Sequence, residues 1–269
     1  MSLPFDTCWD RVDRAEFHRQ SLIEIWNGLN TSDVYASEAK VDNNGNGKFF
    51  VRTVKRDWLL PFSLHFGEML YQLRSALDSC VYDAAVLEFK QYPPPDDEHW
   101  NFPICVTPAK FNDAARRMKK LTDDMRRLIE TVQPYTGATG RAEGKEWNLG
   151  QTLSILNDWA RIDRHRRLHL AGTAISKGNL QFRTPQGTGI EFCDFQSGKF
   201  LLEHDREVAR FKVRNFVSGM EIYVDAQFAF EIVVDEVPRM TKLQDVALAM
   251  GFSVSGVREN FERHYGVKR

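Results

Sequence analysis

The apolar positions of this 269-residue chain change period along its length, from helical spacing to alternation and back. Steps of three and four predict helices over residues 8–29, 63–89, 108–121, 122–132 and 147–176, and a last one from residue 241 to near 265. Alternation predicts strands over residues 34–41, 48–54, 180–184, 190–195, 200–203, 208–213 and 222–234. The glycine-rich stretch 136–144 is expected to be a mobile connection.

Helices and strands occupy separate runs of the chain, which indicates the α+β class. We expect a helical bundle built on the two long helices, packed with an antiparallel β-sheet and closed by the C-terminal helix. In domain terms, residues 1–178 would form a mainly helical part with a β-hairpin at about 33–56. Residues 179–269 would form the sheet with the C-terminal helix, packed as one unit.

The charge is distributed unevenly. Hydrophobic residues make up 42% and charged residues 27% of the chain, which excludes the disordered and fibrous classes. The net charge of −1 combines an acidic first part, residues 1–109, with a basic segment, residues 110–170. A basic segment attracts phosphates, although a solvated helix face rich in arginine is the more ordinary interpretation.

Four cysteines, Cys8, Cys80, Cys105 and Cys193, have neither the spacing of a zinc site nor that of a redox pair. The first residues lack the basic and apolar regions of a signal peptide, and no run of 18 apolar residues occurs that could span a membrane. We therefore expect a cytoplasmic protein with reduced thiols and no membrane partner.

Asp163 occupies a position that should be buried. On a helical wheel it continues the apolar seam of Leu149, Leu153, Leu156 and Ala160. Burying a lone carboxylate is too costly, so we predict that Asp163 accepts a charge-assisted hydrogen bond from an Arg or His of this chain. Arg74, with Asp78 one turn later, is the expected partner. A structural ion-pair network between the long helices is the simplest interpretation.

The segment Arg164–His169 reads Arg-His-Arg-Arg-Leu-His. His165 and His169 share a helix face with Asp158, which is a spacing that suits a divalent metal. Flanking arginines would repel a cation, so we expect no metal and no other cofactor.

Arg164 and His169 also have a spacing used in metal-independent RNA cleavage. An arginine stabilises the phosphate charge while a histidine moves the proton of the ribose 2′-hydroxyl. In this hypothesis His169, together with His165, transfers the proton and Asp163 orients the cluster. Binding of a phosphorylated ligand without chemistry and a protein interface stay open as alternatives.

Four motifs occur in a fixed order: Gly67-Glu68 with Leu-Arg-Ser-Ala-Leu-Asp at 73–78, Phe-Pro-Ile at 102–104, Gln-Pro-Tyr at 133–135 and Asp-Arg-His-Arg at 163–166. In this combination the chain resembles an uncharacterised family of soluble bacterial proteins whose last motif is Asp-Lys-His-Arg; Arg164 keeps the charge of the lysine. The resemblance covers nearly the whole chain and implies no established activity. It implies that one place holds Glu68, Arg74, Asp78, Gln133, Tyr135, Asp163, His165 and Arg166.

The segment Arg164-His165-x3-His169 is in addition similar to the motif of the HEPN superfamily of helical ribonucleases. That resemblance implies metal-independent cleavage of RNA by two such helices paired across a homodimer. The chain departs from HEPN proteins by carrying a large sheet and by having the motif well inside a long helix.

Residues 243–257 are similar to a helix-turn-helix DNA reader, with Gly251 at the turn position. However, an apolar seam runs unbroken through Gly251, comprising Leu243, Val246, Met250, Val254, Val257, Phe261 and Tyr265. The turn of a helix-turn-helix would break this phase, so we predict a single helix.

Three classes of function therefore stay open. The first is an RNA- or nucleotide-phosphate-directed ribonuclease or binder, HEPN-like if catalytic, with RNA or a phosphorylated ligand as partner and with a homodimer. The second is a non-catalytic binding or interaction protein in which the same Asp, Arg and His residues form a structural network. The third is a DNA-binding regulator.

Overall fold

A computed structural model describes residues 4–29, 34–96, 100–118, 122–142, 144–165, 170–195, 205–234 and 241–267. The described helices are α1 (Asp6–Asn27), α2 (Leu59–Phe89), α3 (Pro108–Arg117), α4 (Asp123–Glu130), α5 (Leu149–His165) and α6 (Leu243–His264). The strands are β1 (Tyr35–Val41), β2 (Asn46–Thr53), β3 (Thr139–Ala142), β4 (Lys145–Asn148), β5 (Leu170–Arg183), β6 (Gly189–Phe195), β7 (Arg206–Arg214), β8 (Tyr223–Val234) and β9 (Thr241–Lys242). The predicted α+β class is confirmed. None of these helices is long and apolar enough to cross a membrane.

The chain divides into two compact units. The helical unit combines Met1–Glu24, Phe62–Leu168 and Gln244–Arg269. The sheet unit combines Ile25–Pro61 and His169–Leu243. The hairpin of β1 and β2 thus belongs with the later strands, and α6 belongs with the helices.

In the helical unit, α1 and α2 run antiparallel, because later residues of α1 contact earlier residues of α2. Cys8 contacts Cys80, Arg11 contacts Gln72 and His18 contacts His65. The apolar residues that recur at steps of three and four along α2 form a seam, and all of them are fully buried: Phe66, Leu70, Leu73, Leu77, Val81 and Ala84. This seam forms one wall of the helical core.

Helix α5 packs on α2 through the edge of Trp159, whose ring centroid lies 5.8 Å from that of Phe66. Its predicted seam, Leu149, Leu153, Leu156 and Ala160, is buried. The predicted helix over 147–176 is nevertheless wrong from Leu170 onward. From Leu170 the chain pairs with β8 instead, because Leu170 and Ile175 lie opposite Val234 and Phe230 in an antiparallel ladder.

Two other segments test the predictions near Gly140 and Gly251. The stretch 136–144, expected to be a mobile connection, contains β3, which pairs with β4 in a short hairpin turning at Gly144. Helix α6 continues through Gly251 without a turn, so the prediction of one helix is confirmed. The buried members of its predicted seam are Leu243, Val246, Met250, Val254, Val257 and Phe261.

The sheet unit contains two antiparallel sheets, ordered β1-β2-β7-β6 and β5-β8-β9. Aromatic rings of one sheet pack on rings of the other. The centroid of Phe182 lies 4.8 Å from that of Phe211, and Tyr35 stacks on Phe230 at 3.9 Å. The strand predicted at 200–203 lies outside the described residues.

Candidate functional site

Two histidines meet where α1 lies against α2. The side chain of His18 is 6% exposed, and its Nδ1 lies 3.0 Å from Nδ1 of His65. One of these nitrogens has to donate a hydrogen and the other has to accept it. The two imidazoles therefore share a proton-dependent hydrogen bond.

His18 is buried because it lies on the inner face of α1. The buried residues Cys8, Ala15, His18 and Leu22 follow one another at steps of seven, three and four. Phe17, although apolar, does not belong to this inner face and is 52% exposed. The spacing from Cys8 to Leu22 is the signal that would have identified His18.

Two carboxylates lie close to this stretch of α2. Glu68 is exposed and follows His65 by three residues on α2, which places both side chains on one face of the helix. Asp163, on α5, packs against Gly67, since a Cβ on residue 67 would lie 2.5 Å from Asp163 Oδ2. We call His18, His65, Glu68 and Asp163 the acid–base cluster.

Burial and neighbouring charges change the proton affinities in this cluster. Burial lowers the pKa of His18, the charges of Arg14 and His65 lower it further, and Glu68 opposes them. Burial raises the pKa of Asp163, and the negative charge of Glu68 raises it further. His18 is thus held neutral, and Asp163 keeps its proton to a higher pH than an ordinary aspartate.

The predicted ion pair between Arg74 and Asp163 is wrong. Arg74 donates from Nη1 to Asp78 Oδ1 at 2.6 Å and from Nη2 to the carbonyl oxygen of Phe102 at 2.6 Å. Asp163 is half-buried and has no hydrogen bond to an Arg or His among the described residues. The negative charge of Glu68 acts on Asp163, because Gly67 lets α5 come close to α2 at this point.

Asp78 and Arg74 bind the backbone rather than a ligand. Asp78 Oδ1 accepts from the backbone N–H of Phe102 at 2.8 Å, while Arg74 donates to the carbonyl of the same residue. The two side chains together satisfy both backbone groups of Phe102, as a neighbouring strand would.

Gln133 holds the same segment from the other side. It is fully buried, and its Oε1 accepts from the N–H of Cys105 at 2.8 Å. Its Nε2 donates to the carbonyls of Pro103 and Ile129, both at 2.9 Å. We call Arg74, Asp78 and Gln133 the backbone clamp of residues 102–105.

Tyr135 lies next to the clamp but bonds elsewhere. Its hydroxyl donates to Glu130 Oε1 at 3.0 Å. Burial first, and then the bond and charge of Glu130, raise the pKa of Tyr135 to about 12. The phenol therefore stays protonated in the neutral range.

The basic segment after Asp163 begins at the end of α5. Arg164 is exposed, and its Nε donates to the carbonyl of Ala160 at 3.4 Å. His165 is the last residue of α5, whereas Arg166 and His169 lie outside the described residues. The helix predicted to run to residue 176 gives way to a strand from Leu170.

A groove of about 490 Å³ lies between α1, α2 and α6. Its lining is largely apolar and includes Met69 and Leu73. At its rim Arg258 is 3% exposed, with its guanidinium 3.2 Å from the centroid of the Trp9 ring. Trp9 Nε1 donates to Glu262 Oε1 at 2.7 Å, so these contacts join α6 to α1.

Metal-binding geometry is not found in the part of the chain that the structure describes: no group of three or more His, Cys, Asp and Glu side chains there could hold a metal ion.

Neither protein-family models nor curated proteins nor solved structures gave a match to this chain. The backbone clamp uses its polar groups on the backbone of residues 102–105, whereas the acid–base cluster has an exposed carboxylate, Glu68, next to a histidine pair.

Proposed function

We propose that the helical unit is a metal-independent ribonuclease that acts on single-stranded RNA through the acid–base cluster. The observation that carries this proposal is the contact between the imidazoles of His18 and His65 beside the exposed carboxylate of Glu68. Cleavage of RNA at a 2′-hydroxyl requires one group that removes a proton and another that returns one. A carboxylate and a histidine one helical turn apart can perform these two tasks.

His65 is the general acid in this proposal. It is less buried than His18 and can reach the 5′-oxygen that leaves. When His65 is protonated, its Nδ1–H donates to Nδ1 of His18, and its Nε2–H is free to protonate the leaving oxygen. The lowered pKa of His18 supports this direction, because a neutral His18 can accept the hydrogen bond. His18 is therefore a positioning residue.

Glu68 is the general base. Its carboxylate lies on the same face of α2 as His65, so it can remove the proton of the 2′-hydroxyl while His65 faces the leaving oxygen. The 2′-oxygen then attacks phosphorus, the bond to the 5′-oxygen breaks, and a 2′,3′-cyclic phosphate forms. The positive charges of Arg14 and of the exposed Arg164 neutralise the phosphate.

The residues of the HEPN-like hypothesis keep a part in this proposal. Arg164 and His165 end the helix that carries Asp163, so Arg166 and His169 follow within a few residues. A homodimer would bring a second basic segment to the same phosphate.

The test is incubation of the purified protein with single-stranded RNA in EDTA, with the products identified by mass. We expect a 2′,3′-cyclic phosphate end, and no cleavage where the scissile nucleotide is 2′-deoxy. His65→Gln and Glu68→Gln should each lower the rate by about 100-fold or more. The matched control is His264→Gln, at an exposed histidine near the end of α6.

His18→Gln separates positioning from catalysis. We expect it to lower kcat less than His65→Gln does, and to move the alkaline limb of the pH–rate profile, because the hydrogen bond to His65 changes. An inactive wild-type protein, or equal activity in all variants, contradicts the ribonuclease proposal.

The competing proposal is a non-catalytic binding protein, and the backbone clamp is the observation that favours it. Arg74, Asp78 and Gln133 use their hydrogen bonds on residues 102–105, which supports a structural role for three of the motif residues. Retention of RNA on a filter without cleavage would favour this class. The DNA-binding class loses its support, because α6 is one continuous helix.

A further inference from the structure

Cys8 and Cys80 form a close pair of thiols inside the helical unit. Their Sγ atoms lie 3.0 Å apart, although 72 residues separate them along the chain. Both are free and fully buried. A disulfide bond is about 2.05 Å long, so the two sulfurs have to approach by about 1 Å to form one.

The two cysteines are held on rigid elements that already face each other. Cys8 lies in the first turn of α1 and Cys80 in the last third of α2. These helices run antiparallel, and Arg11, one turn after Cys8 on α1, contacts Gln72, about two turns before Cys80 on α2. A bond between the sulfurs therefore requires no change in the order or direction of the helices.

The start of α1 offers a route to the thiols. The backbone N–H of Phe5 donates to Asp83 Oδ2 at 2.8 Å, and the Phe5 ring packs against Phe261. Phe5 also has a positive φ of 68°, which is an unfavourable conformation for a bulky residue. The ends of helices open most readily, and opening here exposes Cys8 before any other part of the pair.

We propose that Cys8 and Cys80 are a reversible modification site that closes to an intramolecular disulfide when the protein meets a peroxide. The thiolate of Cys8 attacks one oxygen of the peroxide, the O–O bond breaks, and Cys8 becomes a sulfenic acid as hydroxide leaves. The thiolate of Cys80 then attacks the sulfur of Cys8, and the sulfenic oxygen leaves as water. In sum two thiols and one hydrogen peroxide give one disulfide and two waters, with two electrons passing from sulfur to peroxide.

Because Cys80 is buried, oxidation of the two thiols should be slow while the start of α1 stays packed. Burial, then Cys8 and Asp83, raise the pKa of the Cys80 thiol well above its usual value, which disfavours the reactive thiolate. Oxidation is thus expected to proceed from the opened helix end rather than from the packed core.

The experiment uses the full chain with Cys105→Ser and Cys193→Ser, which leaves only the pair. The protein is treated with hydrogen peroxide, quenched with catalase, denatured, alkylated and weighed. We expect a mass lower than that of the reduced chain by two hydrogen atoms, no alkylation, and a peptide that joins Cys8 to Cys80. Dithiothreitol should restore two alkylated thiols.

Cys8→Ala and Cys80→Ala in the same background are the matched variants. Each keeps one cysteine of the pair and therefore should not form the intramolecular disulfide. Because the measurement is made on the chain that keeps both cysteines, a variant that folds poorly does not affect it. Two thiols still alkylated after peroxide, oxygen adducts without a cross-link, or cross-links only between chains would each overturn the proposal.

Discussion

Gly67 leaves the space that the carboxylate of Asp163 occupies. A Cβ on residue 67 would lie 2.5 Å from Asp163 Oδ2 and 3.0 Å from its Cγ. A glycine inside a helix costs roughly 1 kcal/mol relative to alanine, and here that cost is offset by the close approach of α5 to α2. The contact also explains why Glu68, the next residue, acts on the pKa of Asp163.

Gly67→Ala should destabilise the protein by about 1–3 kcal/mol, because the added methyl group meets the Asp163 carboxylate. Gly251→Ala is the control. This glycine also lies inside a helix, α6, but a Cβ there would meet no atom within 4 Å. It should leave stability unchanged or raise it by up to about 1 kcal/mol. Urea denaturation measures both, and the same sign for the two variants would contradict the packing described for Gly67.

Asp163→Asn should raise stability at neutral pH. The pKa of Asp163 is higher in the folded protein than its ordinary 3.8, so its contribution to stability is present below 3.8 and is lost as pH rises through the folded value. The ionised Asp163 beside Glu68 therefore destabilises the folded protein at neutral pH. Replacing this carboxylate by an uncharged amide should raise the free energy of unfolding by less than about 1 kcal/mol, because the group is partly exposed.

The gain from Asp163→Asn should shrink as the pH falls toward 3.8. Urea midpoints across the acid range measure it, with Asp158→Asn, at an exposed aspartate of the same helix, as the control. A gain that stays constant with pH would show that ionisation is not its cause.

Asp78→Ala should cost about 2–3 kcal/mol, because it leaves the N–H of Phe102 unpaired and removes the partner of Arg74. Asp113→Ala removes an exposed pair with Arg116 and should change stability by no more than about 0.5 kcal/mol. Thermal denaturation of both variants provides the comparison. Equal effects would mean that the clamp does not hold Phe102 in solution.

Gln133→Met keeps the size of the side chain but removes all three hydrogen bonds to residues 103, 105 and 129. Unpaired buried groups cost about 1–3 kcal/mol each, so a loss of at least about 2 kcal/mol is expected. Hydrogen exchange at the amide of Cys105 should accelerate at the same time. Gln151→Met, at an exposed position of α5, should change neither quantity.

The buried faces of α2, α5 and α6 could be predicted from sequence because each helix has one continuous apolar seam. His18 was missed because a search for apolar residues passes over an imidazole, although the spacing of Cys8, Ala15 and Leu22 marks the same inner face of α1. The end of α5 was missed because the residues after His165 carry neither proline nor a glycine cap, and the pairing of Leu170 with Val234 is a long-range contact.

The motif residues were recognised as special, but their role depends on three-dimensional partners. Arg74 and Asp78 have the spacing of a helix ion pair, and only the fold shows that both also bind Phe102. Cys8 and Cys80 have no recognisable spacing at all, because the antiparallel helices bring them together. Glu68 and Asp163 were expected in one place, although not as two carboxylates of which one raises the pKa of the other.

The three-segment make-up of the helical unit affects how the protein is synthesised. Helix α6 supplies Met250, Val254 and Phe261 to the core, yet it follows every strand of the sheet unit in the chain. During translation α1, α2 and α5 leave the ribosome first, and the apolar faces that pack against α6 stay exposed until residues 244–269 are translated. The sheet unit has its whole sequence available sooner. Chaperone binding during translation should therefore concentrate on the nascent helices.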